Sequence, residues 1–145
     1  MIVTGGVFLF KKILLLQLEN TDHPQTVQVR VNPSERFSIF YIHSIYHESV
    51  IEEFQADQDG IVFKGVRTKS PAIQEYYGFE DTKEFHPMNL KLGAIFFRVG
   101  LGEGQGLIVG DKKIYLSAVG KRGDRIGLRL RSVSLGYYLY SQIFQ

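Results

Sequence analysis

The chain contains no cysteine and no tryptophan, and only four prolines and two methionines among its 145 residues. Without cysteine, disulfides and thiolate metal sites are excluded, but the compartment stays open. A large excess of one charge is also missing, since 17 basic residues stand against 15 acidic ones. That balance removes the strong positive field of many nucleic-acid binders, and no nucleic-acid partner is expected. Long apolar runs are absent as well. Ile2 to Phe10 is interrupted by Thr4 and Gly5-Gly6, and Lys11-Lys12 separate it from Ile13–Leu16. A spanning helix needs ~20 apolar residues in a row. A secretory signal places its cations before the apolar stretch and a small-residue cleavage site after it, whereas here the order is reversed. The expectation is a loose N-terminal arm over residues 1–11 and a first strand at about 12–18. Catalytic punctuation is missing too, for no Gly-x-Ser-x-Gly elbow occurs. The glycine-rich stretch Gly100–Gly106 lacks the Lys-Ser/Thr ending of a phosphate loop and reads as a hairpin loop.

What is present is aromatic and turn-rich: 15 glycines, 11 phenylalanines and eight tyrosines. Such a composition suits an aromatic-cored β protein. A chain of this length forms one domain and buries ~70% of its unfolded surface. Charge is unevenly placed, with 8 basic and 12 acidic residues in 1–90 but 9 and 3 in 91–145. Arg125, Arg129 and Arg131 alternate with Ile126, Leu128 and Leu130, which reads as a solvated strand face.

Period-two patterning runs almost throughout. Val27, Val29 and Val31 alternate with Gln28 and Arg30, and Val50, Glu52 and Phe54 share a parity opposite Ile51 and Glu53. Asp57-Gln58-Asp59-Gly60 is a hairpin turn, because Asp and Gly tolerate positive φ. Residues 69–93 form one long irregular loop in this reading, with a short helical turn near Ile73–Tyr77. The apolar tail over 134–145 is expected to add a strand or to dock on a partner, offering a route to a homo-oligomer. The fold class is therefore all-β: a single antiparallel β-sandwich or partly open β-barrel of about eight to ten strands, spanning 1–145.

The most informative segment is Phe37 to Tyr46. Its unbroken apolar character predicts a central strand, with Phe37, Ile39, Tyr41 and Ile45 facing one interior and Phe40 and Ile42 the other. It carries His43-Ser44, and Glu52 follows eight residues after Ser44. On a regular strand His43 and Ser44 point to opposite faces, so they do not form a nucleophile and its base. The favoured reading is structural, with His43 bonded to Glu52 or to a main-chain carbonyl. Ligand or partner recognition at the strand end, by Tyr41, His43, Ser44, Glu52 and Arg67, is the functional reading. His43 and His47 share a parity, and with a carboxylate they would suggest a metal-dependent enzyme, although zinc requires three or four converging ligands. No cofactor is implied.

Tyr41-Ile42-His43-Ser44-Ile45-Tyr46 followed by Val50-Ile51-Glu52 resembles the signature of the DUF1850 family of bacterial proteins. Phe97-Arg98-Val99-Gly100, Leu107-Ile108-Val109-Gly110, Ile114-Tyr115-Leu116-Ser117 and Gly123-Asp124-Arg125-Ile126 extend the likeness, which runs from about Leu14 to about Val133. Tyr46 and Ser49 replace a Glu and a Pro of the family motif. Pro71-Ala72-Ile73-Gln74 replaces its Gly-Ala-Gly loop. The resemblance implies a small β protein of the bacterial cell envelope, encoded beside TAXI-type TRAP transporters, with no established reaction. On that footing the expected function is a non-catalytic accessory or binding module. Its partner would be a membrane transporter or the transporter's solute-binding protein, and its ligand a small organic molecule. A stand-alone small-molecule-binding β-barrel and the metal-dependent enzyme are the alternatives. The resemblance points outside the cytoplasm, while the sequence itself leaves a cytoplasmic location open.

Overall fold

The computed structural model describes residues 8–100 and 104–144. In β1 (Lys12–Asn20), Leu14, Leu16 and Leu18 face one side and Ile13 and Leu15 the other, and all five are buried. A strand buried on both faces belongs in the middle of a sheet. β1 accordingly pairs with β2 (Gln25–Val31) on one edge and with a long C-terminal strand, Arg125–Ser134, on the other. Five strands of the second sheet's six follow one another along the chain or nearly so: β3 (Arg36–Ile42), β4 (Ser49–Asp57), β5 (Gly60–Arg67), β6 (Phe85–Leu92) and, after a crossing, β8 (Gly106–Val109). Between β6 and β8, β7 (Ala94–Arg98) returns to the first sheet, and β9 (Lys112–Tyr115) completes the second. With Arg125–Ser134 as β10, the orders are β2-β1-β10-β7 and β6-β5-β4-β3-β8-β9, antiparallel throughout. Among the described residues no barrel closes, and the two sheets form a sandwich.

The core lies between the sheets. Leu16, Leu18, Ile126 and Leu128 from one sheet meet Phe37, Ile39, Phe54 and Leu107 from the other. Phe54 is 1% exposed and packs between Phe37 and Phe63, with ring centroids 5.4 and 5.1 Å away. The hairpin turn expected at Asp57–Gly60 joins β4 to β5, with Gly60 at φ +150.

Several expectations need correction. The segment 69–93 is not one loop. Pro71–Tyr76 forms helix α1, capped by Ser70, and β6 pairs along β5 as an edge strand. Pro87 is tolerated there because an edge strand leaves one row of N–H groups unused, and it stands opposite Gly65 beside a bulge. The strand expected over 37–46 ends at Ile42, and Ser44–Tyr46 turn away from it. Ile45 is therefore 62% exposed rather than inward, and Ile42 is exposed, while Phe40 is half-buried against Tyr115. Gly100–Gly106 does not join a hairpin, because β7 and β8 lie in different sheets; residues 101–103 fall outside the described ones.

The tail adds no strand. Ser134 accepts from the Tyr137 amide at 3.1 Å and caps helix α2 (Leu135–Ile143). That capped start turns the chain onto its own sheet, where Leu135 and Tyr138 cover Ile13, Leu15 and Val133. Of the N-terminal arm, residues 1–7 lie outside the described residues, and 8–10 form a turn closed by Lys11 N–H on the Phe8 carbonyl.

Candidate functional site

The β3–β4 register sets Ile39 opposite Glu52 and Tyr41 opposite Val50. Residues directly opposite share a face, so Glu52 and Tyr41 lie on the inner face with Phe37 and Phe54. At this end the first sheet does not supply the cover. Ile73 of α1 packs on Val50 and Val66, and Tyr77 and Phe79 close around them. The inner face of a sheet thus continues past the sandwich core into a small cap, and the carboxylate sits at the boundary.

Glu52 is bonded there. Its Oε1 accepts from the Tyr77 hydroxyl at 2.9 Å, and the Tyr41 hydroxyl lies 3.4 Å away. The two hydroxyls are also bonded to each other. Burial pushes the Glu52 carboxyl above its ordinary value, and the two tyrosine bonds only partly offset this. Burial likewise pushes the Tyr41 hydroxyl up to about 12. Tyr77 is raised by burial and then by its bond to Tyr41. Both hydroxyls stay protonated at neutral pH, giving a bonded Tyr41–Tyr77–Glu52 chain in which the carboxylate accepts.

His43 follows β3 directly and organises the turn. Its N–H donates to the Glu48 carbonyl and its carbonyl accepts from the His47 amide, both at 2.8 Å. Its Nδ1 accepts from the amides of Ile45 at 3.3 Å and Tyr46 at 3.4 Å. This corrects the expected side-chain partner: the His43 imidazole accepts from main-chain amides and does not meet Glu52, while a main-chain carbonyl, that of Glu48, is met only by the His43 backbone N–H. With Nδ1 accepting, the proton of the neutral ring sits on Nε2, which has no hydrogen-bond partner among the described residues. His47 closes the turn at φ +56, a left-handed conformation.

Aromatic rings bind this turn to α1 and β6. Tyr46, His43, Tyr76, Tyr77, Phe79 and His86 form one file, successive centroids lying 5.2, 4.9, 5.9, 5.7 and 3.9 Å apart. Gln74 holds the segment behind them, its amide donating to the carbonyls of Lys83 at 2.8 Å and Thr68 at 3.1 Å. His86 Nε2 meets Asp81 Oδ1 at 2.6 Å.

Between the His43 turn, the α1 end and the β7–β8 connection lies a cleft of about 760 Å³. Tyr41, His43, Ser44, His47, Tyr76 and Tyr77 line it, together with Ile42, Arg98, Gly100, Gly104 and Gln105. No acidic side chain is among these lining residues. The Nη1 of Arg98 is already committed to the Gly123 carbonyl at 2.9 Å.

Of the sequence-predicted residues, Tyr41, His43 and Ser44 reach the cleft, and Glu52 stands behind the tyrosines that line it. Arg67 does not join them. It stands opposite Ile51 on the other face of the sheet, with Nε 3.3 Å from Glu53 and its guanidinium over the Phe85 ring. His43 and His47 share the cleft, but among the described residues no cluster of three metal-ligating side chains occurs. Tyr76 and Tyr77 were not among the sequence-predicted site residues, because nothing in their spacing ties them to Glu52.

Among the described residues no helix is long and apolar enough to cross a membrane. No family model, curated protein or solved structure matches the chain, so the likeness to DUF1850 rests on its motif residues alone.

Proposed function

We propose that the protein is a non-catalytic binding module whose cleft holds a small, planar organic molecule. The observation carrying this is the cleft itself, about 760 Å³ with three tyrosines and two histidines on its walls. Its volume falls within the range of small-molecule sites, which are apolar with a few placed polar groups. Tyrosine supplies a flat apolar face with a hydroxyl at its rim, which suits stacking on a ring while donating to its substituents. The Tyr41–Tyr77–Glu52 chain fixes two of those rings in advance, so little ordering is left for binding to cost. His43 adds a donor at Nε2. A hydrolytic reading finds no support, since Nδ1 of His43 is occupied by amides and Ser44 is its sequence neighbour.

The DUF1850 resemblance adds a setting: an envelope module working with a TAXI-type TRAP transporter or its solute-binding protein. The test of the binding reading is a thermal-shift screen of single-ring phenols, benzamides and benzoates against the native protein and Tyr76→Ala. Compounds that raise Tm in the native protein and lose that effect in the variant support it. A panel with no stabilising member, or one whose effect survives the substitution, contradicts it.

A further inference from the structure

We propose that α2 and the adjoining Phe8–Lys12 segment form a docking face for an anionic lipid bilayer. The first and last described segments meet here. The Leu135 amide donates to the Lys11 carbonyl at 2.8 Å, and Gly136 approaches so closely that an added Cβ would stand 3.2 Å from the Leu9 carbonyl oxygen. Leu135, Tyr138 and Ser141 turn toward the sheet, which leaves Tyr137, Tyr140 and Phe144 on the opposite side of the helix. Phe10 is 80% exposed, Ile143 72% and Phe144 70%, and the Tyr140 and Phe144 rings pack together at 4.6 Å. Large apolar side chains left uncovered on a soluble protein commonly mark an interaction site. Tyrosine and phenylalanine on one side of a short helix suit the boundary between headgroups and acyl chains.

Charge identifies the occupant. No acidic residue precedes Glu19 or follows Asp124, whereas Lys11, Lys12, Arg129 and Arg131 lie in the parts of those two segments nearer α2. Arg30 and Arg131 both stand opposite Leu15, one on each side, at the border of the area α2 covers. The nearest carboxylate on that face, Glu19, is 3.8 Å from Arg129. A second copy related by a two-fold axis would bring these cations toward their own counterparts. Anionic headgroups would meet them with opposite charge, while the aromatic residues enter the interface.

The experiment is flotation of the full chain with vesicles of phosphatidylcholine alone and of phosphatidylcholine with phosphatidylglycerol, at low and high salt. The expected result is flotation on the anionic vesicles only, weakened by salt. Binding should fall about thirtyfold in Lys11→Gln/Lys12→Gln, given about 1 kcal/mol per surface cation, and be lost in Ile143→Ser/Phe144→Ser. All four residues are exposed, so thermal unfolding should be unchanged in both variants; were the serine variant unfolded, the salt series and the lysine variant still decide. Absence of flotation, equal flotation on neutral vesicles, or a native dimer that the serine substitutions convert to monomer would each overturn the proposal.

Discussion

The Tyr77 hydroxyl donates to Glu52 Oε1 over 2.9 Å, tying the segment after α1 to the inner face of β4. A carboxylate placed between Val50 and Phe54 would otherwise be a costly interruption of the core. Here it anchors the cap that shapes the cleft, and its protonation is coupled to folding.

Glu52 binds its proton more tightly in the folded chain than in the unfolded one, because burial raises its pKa. Its contribution to stability is therefore fully present below the ordinary carboxylate value of 4.5 and is lost as pH rises through the folded value. Glu52→Gln retains an acceptor for Tyr77 without the charge. Urea denaturation should show a variant at least as stable as the native protein at neutral pH, with a smaller decline from acid to neutral pH. A variant markedly less stable at neutral pH would show that the ionised carboxylate is what the tyrosines need.

Asp124 works in the opposite sense. Its Oδ2 accepts from Asn20 Nδ2 and the Lys121 amide, both at 2.8 Å, and His23 Nδ1 lies at 3.1 Å. The Asn20 bond and then the Lys121 amide hold its carboxyl below the usual range. The stability it contributes is present above the unfolded value and lost as pH falls through the folded one. Asp124→Ala should lower Tm at neutral pH, and the difference from the native protein should shrink on acidification.

His43→Ala leaves the Ile45 and Tyr46 amides without their acceptor and removes two ring contacts. A loss of about 1–3 kcal/mol in urea denaturation is expected for unpaired groups of this kind. An unchanged midpoint would mean that the turn does not depend on the imidazole.

Ser134→Ala removes the N-cap of α2, and caps of this type are worth about 0.5–2 kcal/mol. Deleting residues 134–145 should cost more, since it uncovers Ile13, Leu15 and Val133. Calorimetry would read both, and equal Tm values for native and truncated chains would contradict the packing described for α2.

Most of the strands follow from patterns visible in the chain. Alternation in Thr26–Val31 and Arg125–Val133, and the turn at Asp57–Gly60, specify strands because period two and positive-φ residues leave few other structures. The tail misled because its apolar density says only that it must be covered, and Ser134, not hydrophobicity, decides that it is a helix. Phe85–Leu92 was hidden by Pro87, which is excluded from central strands but tolerated at an edge. At the site, Tyr41 and Glu52 were legible from strand parity. Their partner Tyr77 lies 25 residues from Glu52, and its approach depends on how α1 folds back, which no local pattern encodes. Arg67 failed for a simpler reason: its register puts it on the face of Ile51 and Glu53.

The most direct test of the central claim is amide NMR mapping of the native protein titrated with the best phenol or benzamide from the screen. Saturable shifts are expected at Ser44–Tyr46, Tyr76, Tyr77, Gly104 and Gln105, with the rest of both sheets unmoved. Shifts confined to other surfaces, or none at concentrations where single-ring compounds fill comparable sites, would contradict the assignment of this cleft as the binding site.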